Sequence, residues 1–316
     1  MSAVRLRRSV LAVPGSNPRM MEKAAASAAD EVFLDLEDAC APLEKPAART
    51  KIVEALRSHD WHGKTRVVRI NQVTSEFAFE DLREVITGAG DLLDCIMVPK
   101  VRNAGDVAFV DRALLQLEQS LGFPAGRIGI EAQIEDAEGL MRAEEIAFSS
   151  TRLETLTFGP ADFSASMQLP SLTVRNNDTY PGDIFHYVLF RLAVAARAAG
   201  IQVIDGPYLA IHDVEGYRAS AGRAAALGYD GKWALHPSQI EPANEAFTPA
   251  QADFDKAARI LEAYRRATEV DRRGAVMLGD EMIDEASRKI AMGFYARGVA
   301  AGLTPSAAPA GDTATG

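Results

Sequence analysis

The chain has 316 residues, with 34 Lys plus Arg against 44 Asp plus Glu and a formal net charge of -10, a balance that excludes nucleic-acid binding through a general basic face. Hydrophobic residues make up 47% and charged residues 25%, the mixture of a folded globular chain rather than a disordered one. The apolar run SVLAV behind Arg5, Arg7 and Arg8 is only about five residues long, too short for a signal-peptide core or a membrane span. Cys40 and Cys95 belong to no metal-ligand spacing, so neither a disulfide framework nor a zinc site is expected, and a cytoplasmic protein is.

Short runs rich in Val, Ile and Leu recur along the chain, each followed by a stretch of helical periodicity, which predicts repeated βα units and a parallel sheet. In order they are SVLAVP (9–14), EVFLDLED (31–38), RVVRIN (66–71), DCIMVPK (94–100), RIGIEAQIE (127–135), ETLTFGPAD (154–162), IQVIDG (201–206) and GKWALHP (231–237). About eight such units predict an α/β (β/α)8 TIM barrel, whose strand C-termini converge on one functional face. Between them, 46–58 reads as a helix with Pro46 in its first turn, and 184–200 as an apolar helix stopped by Gly200. The segment after Asp162, to about residue 183, has no clear period and reads as a long loop over the barrel mouth. Beyond His236 come an amphipathic helix (250–269), Gly-flanked turn signals (274–284) and a further helix (285–300). The expected organisation is a catalytic barrel over 1–248, a helical extension or lid over 249–302, and a disordered tail over 303–316.

The polar residues closing the apolar runs would meet at the barrel mouth. Glu135 and Asp162, at the ends of the fifth and sixth runs, are placed to share one hard cation, and two carboxylates with sites left for water and substrate oxygens suit Mg2+ better than zinc. The competing assignment is an ion pair of Glu135 with Lys100. Glu37 and Asp38 add acid to the same mouth, and such a cluster calls for a neutralising cation. Arg69, in an otherwise apolar strand, would grip a carboxylate or a developing oxyanion, or else pair with Glu37 or Asp38. Pro14, Gly15 and Ser16 form a turn into a helix carrying Arg19 and Lys23 four residues apart, an arrangement that would cradle phosphate or else form a solvated face. Asp205, Gly206 and His236 close the seventh and eighth runs and complete the candidate contacts. GxGxxG, Walker, GxSxG and HExxH motifs are all missing from the sequence.

The segments VFLDLEDACAP, KPAAR, VVRIN, IMVPK, IEAQIEDAEGL, FGPADFSASM, VIDGPY and GKWALHPSQI, in that order, resemble the HpcH/HpaI aldolase superfamily in its citrate lyase β-subunit-like branch. IDGPYLAIHDVEGYR together with GDEMIDEAS makes the chain most similar to the L-malyl-CoA/β-methylmalyl-CoA lyases within it. The resemblance implies a Mg2+-dependent barrel, with Mn2+ as an alternative ion, that cleaves a 3-hydroxyacyl-CoA thioester into a short acyl-CoA and a 2-oxo acid such as glyoxylate. It implies Glu135 and Asp162 as metal ligands, Glu37 and Asp38 on metal-bound water, Arg69 on substrate and Lys23 on CoA phosphates. It further implies a homo-oligomer, trimer or hexamer, in which Asp284 reaches the site of a neighbouring subunit. Asn17 stands where a basic residue often follows PGS in these lyases. The alternatives are a citramalyl-CoA lyase, a malyl-CoA thioesterase, a citryl lyase, a Schiff-base aldolase using Lys100, and a non-catalytic CoA-ester-binding scaffold.

Overall fold

The structure of the chain is a computed structural model that describes residues 5–171, 174 and 182–306. Two compact units make it up, Met1–Phe247 and Thr248–Gly316. In the first, eight strands close into a parallel barrel: β1 (Ser9–Pro14), β2 (Glu31–Asp35), β3 (Thr65–Arg69), β4 (Cys95–Val98), β5 (Gly129–Ile134), β6 (Leu153–Phe158), β7 (Gln202–Asp205) and β8 (Gly231–Ala234). β1 pairs with β2 on one side and β8 on the other, which closes the ring and leaves the barrel without an edge.

Alternation along the strands sorts the side chains. Val32 and Leu34 of β2 join a continuous apolar layer under the surrounding helices, whereas Phe33 packs inside the barrel with Val10, Val67, Cys95, Met97, Ile204 and Trp233. The Phe33 and Trp233 rings lie 4.5 Å apart across that interior. Charged residues occupy both ends of this apolar plug. Below it, Arg7 Nε donates to Glu31 Oε2 at 2.7 Å and to Glu131 Oε1 at 2.8 Å, and Arg7 Nη2 to Glu154 Oε2 at 2.7 Å. Above it stands the cluster described in the next section.

The helices of this unit are α1 (Pro18–Ala25), α2 (Lys45–Ser58), α3 (Ala78–Ala89), α4 (Ala104–Leu121), α5 (Ala137–Met141), α6 (Ala143–Ala147), α7 (Pro160–Ser166), α8 (His186–Ala199), α9 (Val214–Ala226) and α10 (Ile240–Ala246). Gly200, at φ +74, ends α8 in the left-handed conformation expected of a helix stop. Two sequence expectations change. The strands are shorter than the apolar runs, so Glu37, Glu135 and His236 sit on the connections just past strand ends. The loop expected after Asp162 begins as a helix, because Pro160 starts α7 and Phe163 packs its ring 5.5 Å from that of Phe158. The greater part of the expected loop, residues 172–173 and 175–181, lies outside the described residues, as do residues 307–316 of the expected tail.

The second unit consists of α11 (Gln251–Glu269), a hairpin of β9 (Val276–Leu278) and β10 (Glu281–Ile283), and α12 (Glu285–Ala300). The turn signals read at 274–284 are this hairpin, with Gly279 at φ +59 in its two-residue connection. α11 and α12 pack through Phe254 and Tyr295, stacked at 5.0 Å. Gly298 makes this approach feasible, since a Cβ there would stand 2.2 Å from the Phe254 ring. Among the described residues, no helix is long and apolar enough to cross a membrane.

Candidate active site

The mouth is organised by Asp35, the last residue of β2. Its carboxylate accepts from the backbone N–H of Glu37 at 2.8 Å and of Ala39 at 2.9 Å, which turns the chain sharply after the strand. The same carboxylate receives Arg69 in a bidentate pair, Nε to Oδ1 and Nη2 to Oδ2, both at 2.7 Å. Arg69 therefore does pair with Glu37, as the alternative expected, but its bidentate partner is Asp35, which the sequence reading did not name. Glu37 Oε2 lies 3.1 Å from Arg69 Nη1 without hydrogen-bonding geometry and has no hydrogen bond of its own. The guanidinium also lies over both the Phe33 and Trp233 rings, at 5.5 and 5.3 Å from the ring centroids. Burial opposes its charge, but Asp35 and Glu37 outweigh that and hold it firmly protonated.

Glu135 follows β5 directly. Its Oε1 accepts from the backbone N–H of Lys100 and its Oε2 from Gln133 Nε2, each at 2.7 Å. Gln133 accepts in turn from Arg69 Nη1 at 3.4 Å, so one amide joins the arginine to the carboxylate. Burial, then the nearby Glu37 and Asp162 carboxylates, push the Glu135 carboxyl up to about 8. Gly159 makes the site possible, since a Cβ there would meet Glu135 Cβ at 2.4 Å and Oε2 at 2.5 Å. Asp162 lies in the first turn of α7 and is half-buried. The ion pair weighed between Glu135 and Lys100 does not form. Lys100 offers Glu135 its backbone, at a left-handed φ of +52, and sends its ammonium to Glu37 and, at 3.5 Å, to Asp38. Burial opposes that charge, but the Glu37 bond overrides it and keeps the ammonium protonated. A Schiff base needs the neutral amine, so the geometry does not favour that role.

Among the described residues no three His, Cys, Asp or Glu side chains converge as a metal cage. Two carboxylates are nevertheless the donor set Mg2+ uses when water and substrate oxygens complete its octahedron. The residues present fit such an ion: Glu135 lacks positive charge, and Glu37 keeps a buried oxygen without a donor.

The remaining candidates have clear places. Pro14 ends β1, and Gly15 donates its N–H to the Asp35 carbonyl at 2.8 Å, so close that a Cβ would meet Ile52 at 2.6 Å. Ser16 follows, and Asn17 caps α1 by accepting from the Met20 N–H. Arg19 and Lys23 stand exposed one turn apart on α1. Asp205 is not open to the mouth: its carboxylate is buried and accepts from Lys232 Nζ at 2.6 Å. With Pro160, Gly216, Arg223 and Phe185, this pair lines a cavity of about 330 Å3. Gly206 gives its carbonyl to the same ammonium at 2.7 Å. His236 caps the turn Pro237–Gln239, Nδ1 accepting from the Ser238 N–H at 3.2 Å. In the second unit Asp284 caps α12 in the same way, accepting from the Ser287 N–H at 3.0 Å, and this bond holds its carboxyl below the usual range. Asp35, Gln133 and Lys45 were missed from sequence; the first acid of LDLED and a glutamine inside a buried strand were their available signals.

Comparisons with known proteins agree with this architecture. The family model described as HpcH/HpaI aldolase/citrate lyase matches residues 8–237. The L-malyl-CoA/beta-methylmalyl-CoA lyase of Cereibacter sphaeroides is 40% identical over 286 residues, 87% of this chain and 89% of that protein. The citrate lyase subunit beta of Haemophilus influenzae is 36% identical over 283 residues, 89% and 93% of the two chains. A crystal structure of CitE from Mycobacterium tuberculosis in complex with magnesium, acetoacetate and coenzyme A superposes with a TM-score of 0.71 at 31% identity, covering 92% of this chain and 97% of that one. The chain belongs to the HpcH/HpaI aldolase/citrate lyase family.

Proposed function

We propose that the chain is a Mg2+-dependent CoA-ester lyase that cleaves L-malyl-CoA, and β-methylmalyl-CoA beside it, to acetyl-CoA or propionyl-CoA and glyoxylate. The observation that carries the reading is the junction of Arg69 and Glu135 through Gln133, which sets a fixed cation beside an acidic site short of positive charge. The 40% identity to a lyase named for these two substrates supports the choice of thioester. A neighbour crystallised with magnesium and coenzyme A supports the ion and the carrier.

Cleaving the carbon–carbon bond of a 3-hydroxy thioester requires loss of the hydroxyl proton and stabilisation of a thioester enolate. Glu135 and Asp162 would hold the cation, with Glu37 and Asp38 toward its water, and such an ion would supply positive charge where the malyl oxygens develop negative charge. Arg69, kept charged and immobile by Asp35, faces the enolate oxygen of the departing acyl-CoA. Asp284 of a neighbouring copy exchanges the proton at the acyl carbon. Arg19 and Lys23, beside the Pro14–Gly15–Ser16 turn, meet the CoA phosphates, while Asp205, Gly206 and His236 act from the neighbouring strand ends as supports of the substrate pocket. In this reading the barrel is the catalytic domain and the C-terminal unit a lid that completes a homo-oligomer. Its exposed Met277, Met282 and Ile290 support contact with another copy. The two free buried cysteines are consistent with a cytoplasmic setting.

The test is product analysis with the purified full chain, Mg2+ and L-malyl-CoA, β-methylmalyl-CoA or citramalyl-CoA. Glyoxylate with acetyl-CoA, abolished by EDTA, is the expected outcome. Free malate would make it a thioesterase, and EDTA-resistant turnover trapped by borohydride would overturn the metal reading.

A further inference from the structure

The KPAAR segment is a motif that the proposed chemistry leaves unused. Its cations Lys45 and Arg49 stand one turn apart at the start of α2, only 7% and 5% exposed. A cation in the first turn of a helix opposes the helix dipole, and a buried ammonium is costly unless its three donors are met. Lys45 Nζ meets all three, donating to the carbonyls of Leu36 at 2.8 Å and Glu37 at 2.7 Å and to Asn71 Oδ1 at 2.6 Å. Asn71 donates to Asp81 Oδ2 through Nδ2 at 2.7 Å and through its backbone at 2.9 Å, and Arg49 Nε donates to Asp81 Oδ1 at 2.8 Å. Lys45, Asn71, Asp81 and Arg49 thus close a buried ring through one turn of α2. Among the described residues no carboxylate pairs with the Lys45 ammonium, so its charge is directed at the two carbonyls.

We infer that Lys45 is a positioning residue that holds Glu37 in the mouth. Both backbone groups of Glu37 are gripped by buried charged side chains, its N–H by Asp35 and its carbonyl by Lys45. With the backbone fixed from both sides, the Glu37 carboxylate stays against Arg69 and Lys100 and beside Glu135. Without the ammonium, the Leu36 carbonyl loses the Lys45 donor and the Glu37 carbonyl keeps only the Cys40 N–H at 3.2 Å, so the turn is held less firmly. The inference rests on the reading of the mouth as a divalent-cation site.

The experiment is Mn2+ binding, followed by electron paramagnetic resonance, to the purified full chain and to Lys45→Met, Glu37→Gln and the double variant. Each single change is expected to weaken Mn2+ binding about tenfold, the effect of losing an outer-shell support. The double variant should bind no more weakly than Glu37→Gln alone, because Lys45 acts through Glu37. A Lys45→Met protein that binds like the parent, a Glu37→Gln protein that does so, or losses that simply multiply would each overturn the inference. A parent chain that binds no Mn2+ would instead remove the metal reading, and this inference with it. Should Lys45→Met fail to fold, Asn71→Ala removes the third acceptor, which aims the ammonium at the two carbonyls. It should weaken binding a few-fold in the parent and not in the Glu37→Gln background, and unchanged binding in the parent overturns the proposal.

Discussion

The barrel carries two buried charge clusters, one at each end of the same apolar plug, and they are built in opposite ways. At the floor, Arg7 is wrapped by Glu31, Glu131 and Glu154, with Gln202 accepting from Nη1 and Cys95 3.4 Å from Nη2. The acids there come from the strands themselves, and Arg7 is 1% exposed. At the mouth, Glu37 and Glu135 come from connections past the strand ends and Asp162 from the first turn of α7, and the arginine is shared between Asp35 at the end of β2 and Glu37, which also takes a lysine. Strand-borne charge is locked by register and serves the fold. Charge set just past the strand ends, propped by Asp35, Gln133 and Lys45, faces the barrel mouth and is available for chemistry.

The contrast is sharpest if each end is broken separately. Arg7→Met leaves two fully buried carboxyl groups without their cation and should cost about 3–5 kcal/mol. Chemical denaturation should show this loss, while kcat of the remaining folded enzyme stays near the parent value. Glu135→Gln should do the reverse, lowering kcat by roughly 10²–10³ with little change in melting temperature, and full turnover in this variant would remove the metal assignment. Gly159→Ala forces a Cβ into Glu135, and a displacement of that kind should reduce kcat by about a hundredfold. If its kcat is unchanged, the close packing of Gly159 on the carboxylate has no functional weight.

The smallest expected effect is a pH slope from the floor. Burial and the facing Glu131 hold the Glu31 carboxyl above its ordinary range, and burial raises Glu131 as well. The folded state thus retains a proton that the unfolded chain releases near pH 4.5. This contribution is complete below that pH and is lost as pH rises toward the elevated folded value, at about 1.4 kcal/mol per pH unit for one proton. Glu31→Gln removes a titrating member of the pair and should flatten the fall of melting temperature between pH 5 and 8; an unaltered slope would place the pH dependence elsewhere.

The position of a mouth residue is legible in the sequence where a polar residue directly closes an apolar run. Glu135 and Arg69 were visible that way, because a strand's length and alternation are local properties. Asp162 lies in a helix rather than at a strand end, since Pro160 turns the chain into α7, anchored by buried Pro160 and Phe163. The partner of the Asp205 carboxylate, Lys232, lies 27 residues on and is not legible from the strand end alone. The β9–β10 hairpin looked like turn signals alone, because three-residue strands are too short to show a period.

What the sequence determined by itself was the barrel: eight buried apolar runs with helical spacers have one economical closure, and periodicity is written in neighbouring residues. It also set the end of α8 at Gly200, where a single residue type satisfies local backbone geometry. Only the tertiary structure decided which charge meets which. The pairs Asp35 with Arg69, Arg7 with Glu31 and Glu131, and Lys45 with the Glu37 carbonyl join residues brought together by strand register and helix docking. Coulomb and hydrogen-bond energies depend on those distances, which no linear spacing encodes.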